Sequence, residues 1–251
     1  LRPEDDWKFD LERLDSLTSK KTKLVSVVNP NNPTGTVLSS GVMRRIIEIC
    51  SRVGAWLHAD EVYRDTELSG EPAPSFWGQY DRVICVNSLS KAYGLAGLRI
   101  GWALASAEII EALWRRHEYA VIAASGPSML LAEMALRPSK RAALLERQKN
   151  LSRAGHHMLQ DWVRDQDGRF AWNIPQATSI AFVKYNFDVP SVELADHLRC
   201  RASVLVAPGK YLGTENHLRL AVGYNAEKIR AALGRIGAAV AELAPERLAT
   251  R

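Results

Sequence analysis

The chain has 251 residues, 47% of them hydrophobic, and a net charge of +5. That is enough apolar content for a large core, and the basic residues are interspersed with acids, so a nucleic-acid partner is not implied. This composition agrees with a cytoplasmic globular protein, and no apolar run reaches membrane-spanning length. Cys50, Cys85 and Cys200 are isolated, odd in number and set in apolar contexts, which predicts reduced core thiols rather than a disulfide framework.

In chain order, residues 24–35 read Leu-Val-Ser-Val-Val-Asn-Pro-Asn-Asn-Pro-Thr-Gly, a β-branched strand broken by an Asn/Pro/Gly turn. Ser39 or Ser40 caps a predicted helix through Val53, with Val42, Ile46, Ile47 and Ile49 on its buried face. Residues 55–63, Ala-Trp-Leu-His-Ala-Asp-Glu-Val-Tyr, form a short apolar run that ends on Asp60. A third run, Arg82-Val-Ile-Cys-Val, leads into Asn87-Ser-Leu-Ser-Lys-Ala-Tyr-Gly-Leu-Ala-Gly-Leu-Arg-Ile-Gly-Trp. Helices are predicted from Ser106 to about Tyr119 and from Pro127 to Leu136. Pro138 and Ser139 start a long helix whose apolar positions reach Leu159 and Trp162, suited to bridging two domains.

Beyond it, Phe170-Ala-Trp, Ser179-Ile-Ala-Phe-Val-Lys-Tyr, Ser203-Val-Leu-Val and His217-Leu-Arg-Leu-Ala-Val alternate like strands of a small sheet. Helices over 191–200 and 226–243 complete it. The expected organisation is a larger α/β region over 1–137 and a smaller α+β region over 138–251.

Lys91 is the most informative residue. A lysine at the end of a buried strand is costly unless its amine is neutral, paired or covalently used. Ser88 and Ser90 supply hydroxyl donors, and Arg99 supplies a planar fork suited to a phosphate. An amine nucleophile beside a phosphate cradle is what a pyridoxal phosphate Schiff base requires.

The order strand-Asn-Pro-Thr-Gly, strand-Asp-x-x-Tyr, strand-Ser-x-Ser-Lys-x7-Arg resembles the class I/II aminotransferases of PLP fold type I. The resemblance covers nearly the whole chain. It implies a mostly parallel sheet with helices on both faces, a smaller α+β C-terminal domain, pyridoxal 5′-phosphate as cofactor and a homodimer. By the same resemblance Lys91 would form the Schiff base and later shuttle a proton, and Asp60 would keep the pyridine nitrogen protonated. Tyr63 and Asn32 would donate to the ring's phenolic oxygen, while Ser88, Ser90 and Arg99 would hold the phosphate. Arg219, in His217-Leu-Arg-Leu-Ala-Val-Gly, matches the arginine that grips the substrate α-carboxylate, and Asn32 would share in substrate binding. All but Arg219 lie just beyond the carboxyl ends of predicted strands, where open α/β sheets bind ligands. Tyr211, Gln176 and Thr178 are expected near the substrate.

Members of that family carry a much longer segment before the Asn-Pro-Thr-Gly turn. Residues 1–23 read like mid-chain sequence, so the chain is expected to be a C-terminal piece whose sheet has unpaired edges. The function implied is amino-group transfer between an amino acid and a 2-oxo acid. Two alternatives stay open: a lyase, cyclase or oxidase on the same scaffold, and a non-catalytic PLP-binding regulator domain.

Simpler readings apply elsewhere. His58 is expected to pack on the face opposite Asp60. His156 and His157 are adjacent on a helix, diverge and lack partner ligands, so no metal site is expected. The glycines at 94, 97 and 101 read as close packing around the lysine rather than a dinucleotide motif, and the seven tryptophans as core.

Overall fold

A computed structural model describes Leu1 and residues 6–243. The chain divides into two compact units. Residues up to Asn32 and Thr36–Gln148 form the first; Pro33–Gly35 and the residues from Lys149 onward form the second.

The first unit is built on strands β1 (Leu24–Val28), β2 (Trp56–Asp60), β3 (Val83–Ser88) and β4 (Gly101–Leu104), in the order β1-β2-β3-β4. The β1–β2 and β2–β3 pairs are parallel and β3–β4 is antiparallel. Helix α1 (Leu11–Leu17) precedes β1, and α2 (Ser40–Val53) provides the parallel crossover to β2. Ser39 caps α2 by accepting from Val42 N at 3.3 Å. Gly54 ends it at φ 71°, a left-handed conformation in which a side chain would be strained. The periodicity of α2 buries Met43, Ile46, Ile49 and Cys50. Met43, Ile46 and Cys50 pack with Val25, Val27, Leu57, Ala59, Val83 and Cys85 from one face of the sheet, each large side chain contributing roughly 1.5–3 kcal/mol.

The rest of this unit is more open. Helix α3 (Ala107–Val121) has no buried residue, and α4 (Gly126–Leu136) buries only Ala132 and Ala135. Met129, Leu130, Leu131, Met134 and Leu136 of α4 are exposed, although the helix is apolar all round, a pattern found where a helix is covered on every side. The first half of α5 (Pro138–Arg164) contributes Leu145 to a second cluster in this unit, with Leu89, Ala92, Tyr93 and Ala132.

The second unit contains β5 (Phe170–Ala171), β6 (Ile180–Tyr185), β7 (Ala207–Pro208) and β8 (His217–Ala221), ordered β5-β6-β8-β7 with antiparallel pairings. Helices α6 (Ser191–Ala202) and α7 (Ala226–Ala241) and the later part of α5 close one continuous core around Leu159, Tyr185, Phe187, Leu198, Leu218, Leu233 and Ile236. The α5 backbone comes so close here that a Cβ on Gly155 would lie 1.8 Å from the Val222 carbonyl.

Several expectations need correction. Residues 203–206 are not a strand: Val204 and Val206 are buried and Leu205 is exposed, so their alternation reports burial without ladder pairing. The paired segment is the adjoining two-residue β7. Lys91 lies beyond the end of β3, in a turn closed by Gly94 N on the Lys91 carbonyl, and is exposed rather than buried. His58 shares a face with Asp60, because residues two apart in a strand point the same way; its ring meets Ser26 Oγ at 2.9 Å across the β1–β2 pair. Cys200 is exposed, while Cys50 and Cys85 are buried free thiols. Of the tryptophans, Trp162, Trp172 and Trp102 pack half-buried against hydrophobic cores as expected, whereas Trp77 and Trp114 are exposed.

Candidate active site

The parallel strands of the first unit end side by side, and the predicted site residues follow from that. Asp60 is the last residue of β2 and Ser88 the last of β3. Asn29 N donates to the Asp60 carbonyl and Glu61 N to the Val86 carbonyl, so the ladder continues to the point where the three chains separate. Buried Asn29 accepts from Leu38 N through its side chain at 2.9 Å, which holds the following Asn-Pro-Thr-Gly loop. Within the loop, Asn31 N donates to the Thr36 carbonyl. Its Pro33–Gly35 portion belongs to the second unit, where Ala177 N donates to the Gly35 carbonyl. Gly35 has φ 70°, and a Cβ there would meet Pro175 Cβ at 2.4 Å, so the position requires glycine.

Asn32 Nδ2 reaches Tyr63 Oη at 3.5 Å, the outer limit of a hydrogen bond. Tyr63 is buried, and Lys91 Nζ stands 5.8 Å from the centre of its ring. Asp60 Oδ1 accepts from Val62 N at 3.1 Å, which fixes the carboxylate at the start of the turn leading to Tyr63. On the β3 side, Asn87 Oδ1 accepts from Ser88 N and Ser88 Oγ from Ser90 N, at 2.7 and 3.2 Å. The hydroxyl-bearing turn is therefore shaped by its own side chains. Arg99 caps a short 3₁₀ turn, Ala96–Leu98, in a left-handed conformation and donates to the Ala96 carbonyl at 3.1 Å.

The glycines near Lys91 have unequal roles. A Cβ on Gly94 would meet Gln148 Oε1 at 2.7 Å, and one on Gly101 would meet the Asn87 carbonyl at 3.0 Å, while Gly97 has open space.

The first unit thus holds Asn32, Asp60, Tyr63, Ser88, Ser90, Lys91 and Arg99. Arg219 stands half-buried on β8 of the second unit. Of the other residues expected near the substrate, Thr178 is fully buried and its hydroxyl accepts from Ile180 N, whereas Tyr211 is exposed. His156 is buried against Trp172, and its Nε2 lies 3.0 Å from the Thr178 carbonyl. Burial pushes its imidazole down to about 4. His157 is exposed, and no metal-binding cluster occurs among the described residues.

Sequence reasoning missed a polar cluster behind these turns. Arg141, on α5, donates to Tyr93 Oη at 3.1 Å and to Asp65 Oδ2 at 2.9 Å. Arg147 donates to the Tyr93 carbonyl at 3.2 Å. A cleft of about 380 Å³ borders the cluster, with Glu61, Asn87 and Trp102 also in its lining. Glu61 is a buried carboxylate satisfied by Ser75 Oγ and Phe76 N. No local motif announces these groups, because the partners of Arg141 come from distant parts of the chain.

No helix among the described residues is long and apolar enough to cross a membrane. Comparison with known proteins gives consistent matches. A PLP-dependent aminotransferase from Streptococcus suis superposes with a TM-score of 0.88 at 32% identity, covering 96% of this chain and 63% of that one. Histidinol-phosphate aminotransferase 2 of Haemophilus influenzae is 32% identical over 88% of this chain and 58% of its own length. Capreomycidine synthase of Streptomyces vinaceus is 28% identical over 88% of this chain and 56% of its own. The chain therefore spans about three-fifths of the length of the proteins it matches. The sequence profile of aminotransferase class I and II matches residues 1–236, so the chain belongs to that family, whose cofactor is pyridoxal 5′-phosphate.

Proposed function

We propose that this chain forms the cofactor-binding and C-terminal parts of a cytoplasmic, homodimeric aminotransferase acting on an amino acid and a 2-oxo acid. The observation that carries the reading is the set of groups at the ends of β1–β3: the Lys91 amine 5.8 Å from the Tyr63 ring, with Asn32 at the Tyr63 phenol and Asp60 at the end of β2.

The donor set fits pyridoxal phosphate. Asp60 offers an anion to a protonated ring nitrogen, Asn32 and Tyr63 offer donors to a ring oxygen, and Ser88, Ser90 and Arg99 offer donors to a phosphate. When bound, the cofactor supplies an aldehyde for an amine and a ring that withdraws electrons. The chain's contribution is to hold these groups in place. The Ser88 hydroxyl accepts from Ser90 N and the Ser88 backbone N–H donates to Asn87, so little entropy remains for Ser88 to lose on phosphate binding. The exposed Lys91 amine can reach solvent and substrate, a requirement for a group that takes and returns a proton. Arg219 is assigned to the substrate carboxylate, for which a guanidinium gives bidentate geometry.

The apolar exposed faces of α3 and α4 support a homodimer contact. The free buried thiols Cys50 and Cys85 support a reducing compartment. A second reading, a synthase or lyase on the same scaffold, is favoured by the match to capreomycidine synthase, a relative named for synthesis rather than amino transfer.

Steady-state kinetics on two variants test the proposal. Asp60→Asn is expected to retain cofactor but lower kcat on the order of a hundredfold. Arg219→Ala is expected to raise KM for the amino acid roughly tenfold or more, with the cofactor's absorbance unchanged. Loss of cofactor in Arg219→Ala with normal KM would refute the assignment of that arginine. Turnover that yields no 2-oxo acid would favour the synthase reading.

A further inference from the structure

Two turns present the candidate catalytic side chains, and one arginine grips both. The first turn begins at Tyr63: Thr66 N donates to the Tyr63 carbonyl at 3.1 Å, and Thr66 Oγ1 donates to the same oxygen. Its third residue is Asp65, at φ 72°, a strained conformation for a residue with a side chain. The second turn begins at Lys91, closed by Gly94 N on the Lys91 carbonyl at 3.1 Å, and its third residue is Tyr93. The main chains of Asp65 and Tyr93 thus lie within the turns that carry Tyr63 and Lys91, and their side chains point back to α5. There Arg141 donates Nε to Tyr93 Oη at 3.1 Å and Nη2 to Asp65 Oδ2 at 2.9 Å, and Arg147 donates to the Tyr93 carbonyl. Tyr93 and Asp65 are both buried. Burial works against the Arg141 charge, and the Tyr93 and Asp65 contacts outweigh it, leaving the guanidinium pKa raised.

We propose that Arg141 is a positioning residue that fixes the spacing between the Tyr63 phenol and the Lys91 amine by holding Asp65 and Tyr93 at once. It touches neither cofactor nor substrate. The guanidinium is planar and its two donors diverge at a fixed angle. The turns therefore cannot move apart or slide along the sheet without breaking one of its bonds. A lysine has a single nitrogen and cannot span both partners with the same geometry. Asp65 carries the cost of a left-handed backbone that glycine would adopt freely, which is explicable if its carboxylate is needed as the other half of the clamp.

This inference rests on the proposed cofactor role of Lys91 and Tyr63, and the experiment separates the two. In the protein as its gene encodes it, pyridoxal phosphate is titrated by visible absorbance and circular dichroism, with thermal melts in parallel. The unsubstituted protein must give a cofactor band that disappears in Lys91→Ala; if it does not, the functional reading fails and not only the clamp. Given that band, Arg141→Met is expected to raise half-saturation by pyridoxal phosphate roughly tenfold and to displace the absorbance maximum and the dichroic band. Arg141→Lys should recover little of either.

Asp65→Gly removes one arm of the clamp while relieving the backbone, so it is expected to keep or raise the melting temperature yet move the spectrum in the same direction. Methylguanidinium added to Arg141→Ala should restore the parental spectrum, since the bordering cleft admits it. Spectra and half-saturation unchanged in both Arg141→Met and Asp65→Gly would overturn the proposal, even if Arg141→Met melted earlier.

Discussion

In the second unit β6 buries every residue from Ile180 to Val183, whereas β1 and β2 of the first unit bury only every other residue. The helices differ in the same way. On α7, Ile229, Leu233, Ile236 and Val240 are buried in one core, while α3 buries nothing and α4 exposes five large apolar side chains. The second unit therefore carries its own hydrophobic stabilisation. The first holds the candidate site on a sheet and helices with apolar surface left to cover, and its site residues lie on turns held by specific polar contacts. Packing dominates one unit, and polar constraint of turns dominates the site of the other.

The largest effect should come from removing packing in the second unit. Leu198 is fully buried, and Leu198→Ala is expected to cost about 2–5 kcal/mol in chemical denaturation. A loss below about 1 kcal/mol would mean that this core is looser than its burial implies.

Acid should then distinguish the units. His156 is buried and neutral, with its ring shifted from 6.5 to about 4 by burial. Between those values the unfolded chain binds the proton that the folded chain refuses. The stability this group permits is complete above pH 6.5 and is lost as pH falls toward 4, by up to about 3 kcal/mol. His156→Gln keeps a donor for the Thr178 carbonyl and should flatten the dependence of melting temperature on pH over that window. An unchanged slope would place the acid sensitivity elsewhere.

The smallest stability change should come from the open surface of the first unit. Leu130 on α4 is 60% exposed. Leu130→Glu is expected to alter the stability of this chain by no more than about 0.5 kcal/mol, while reducing its aggregation and weakening dimerisation of the protein as its gene encodes it. A loss comparable to that of Leu198→Ala would show that the α4 face is already packed.

The same contrast explains what could be read from the residues alone. The start of α2 was legible to within one residue because a serine cap is a local signal acting on the nearest turn. The candidate site residues could be named because three strand-end motifs each carry their residue pattern within a few positions, and the structure sets those residues in one unit. The Arg141 clamp was not, since its bonds join residues separated by 48 and 76 positions and neither Asp65 nor Tyr93 sits in a pattern that demands an arginine. Residues 203–206 were misread because alternating burial can arise without a neighbouring strand. Trp114 and Trp77 misled for a related reason: hydrophobic residue type predicts burial only where other chain is present to supply it.

The most direct measurement of the central claim is reduction of the cofactor-loaded protein with borohydride, followed by peptide mapping. A stable pyridoxyl adduct is expected on the peptide containing Lys91, and it should be absent in Lys91→Ala. A reduced adduct on another lysine, or no adduct at saturating pyridoxal phosphate, would contradict it.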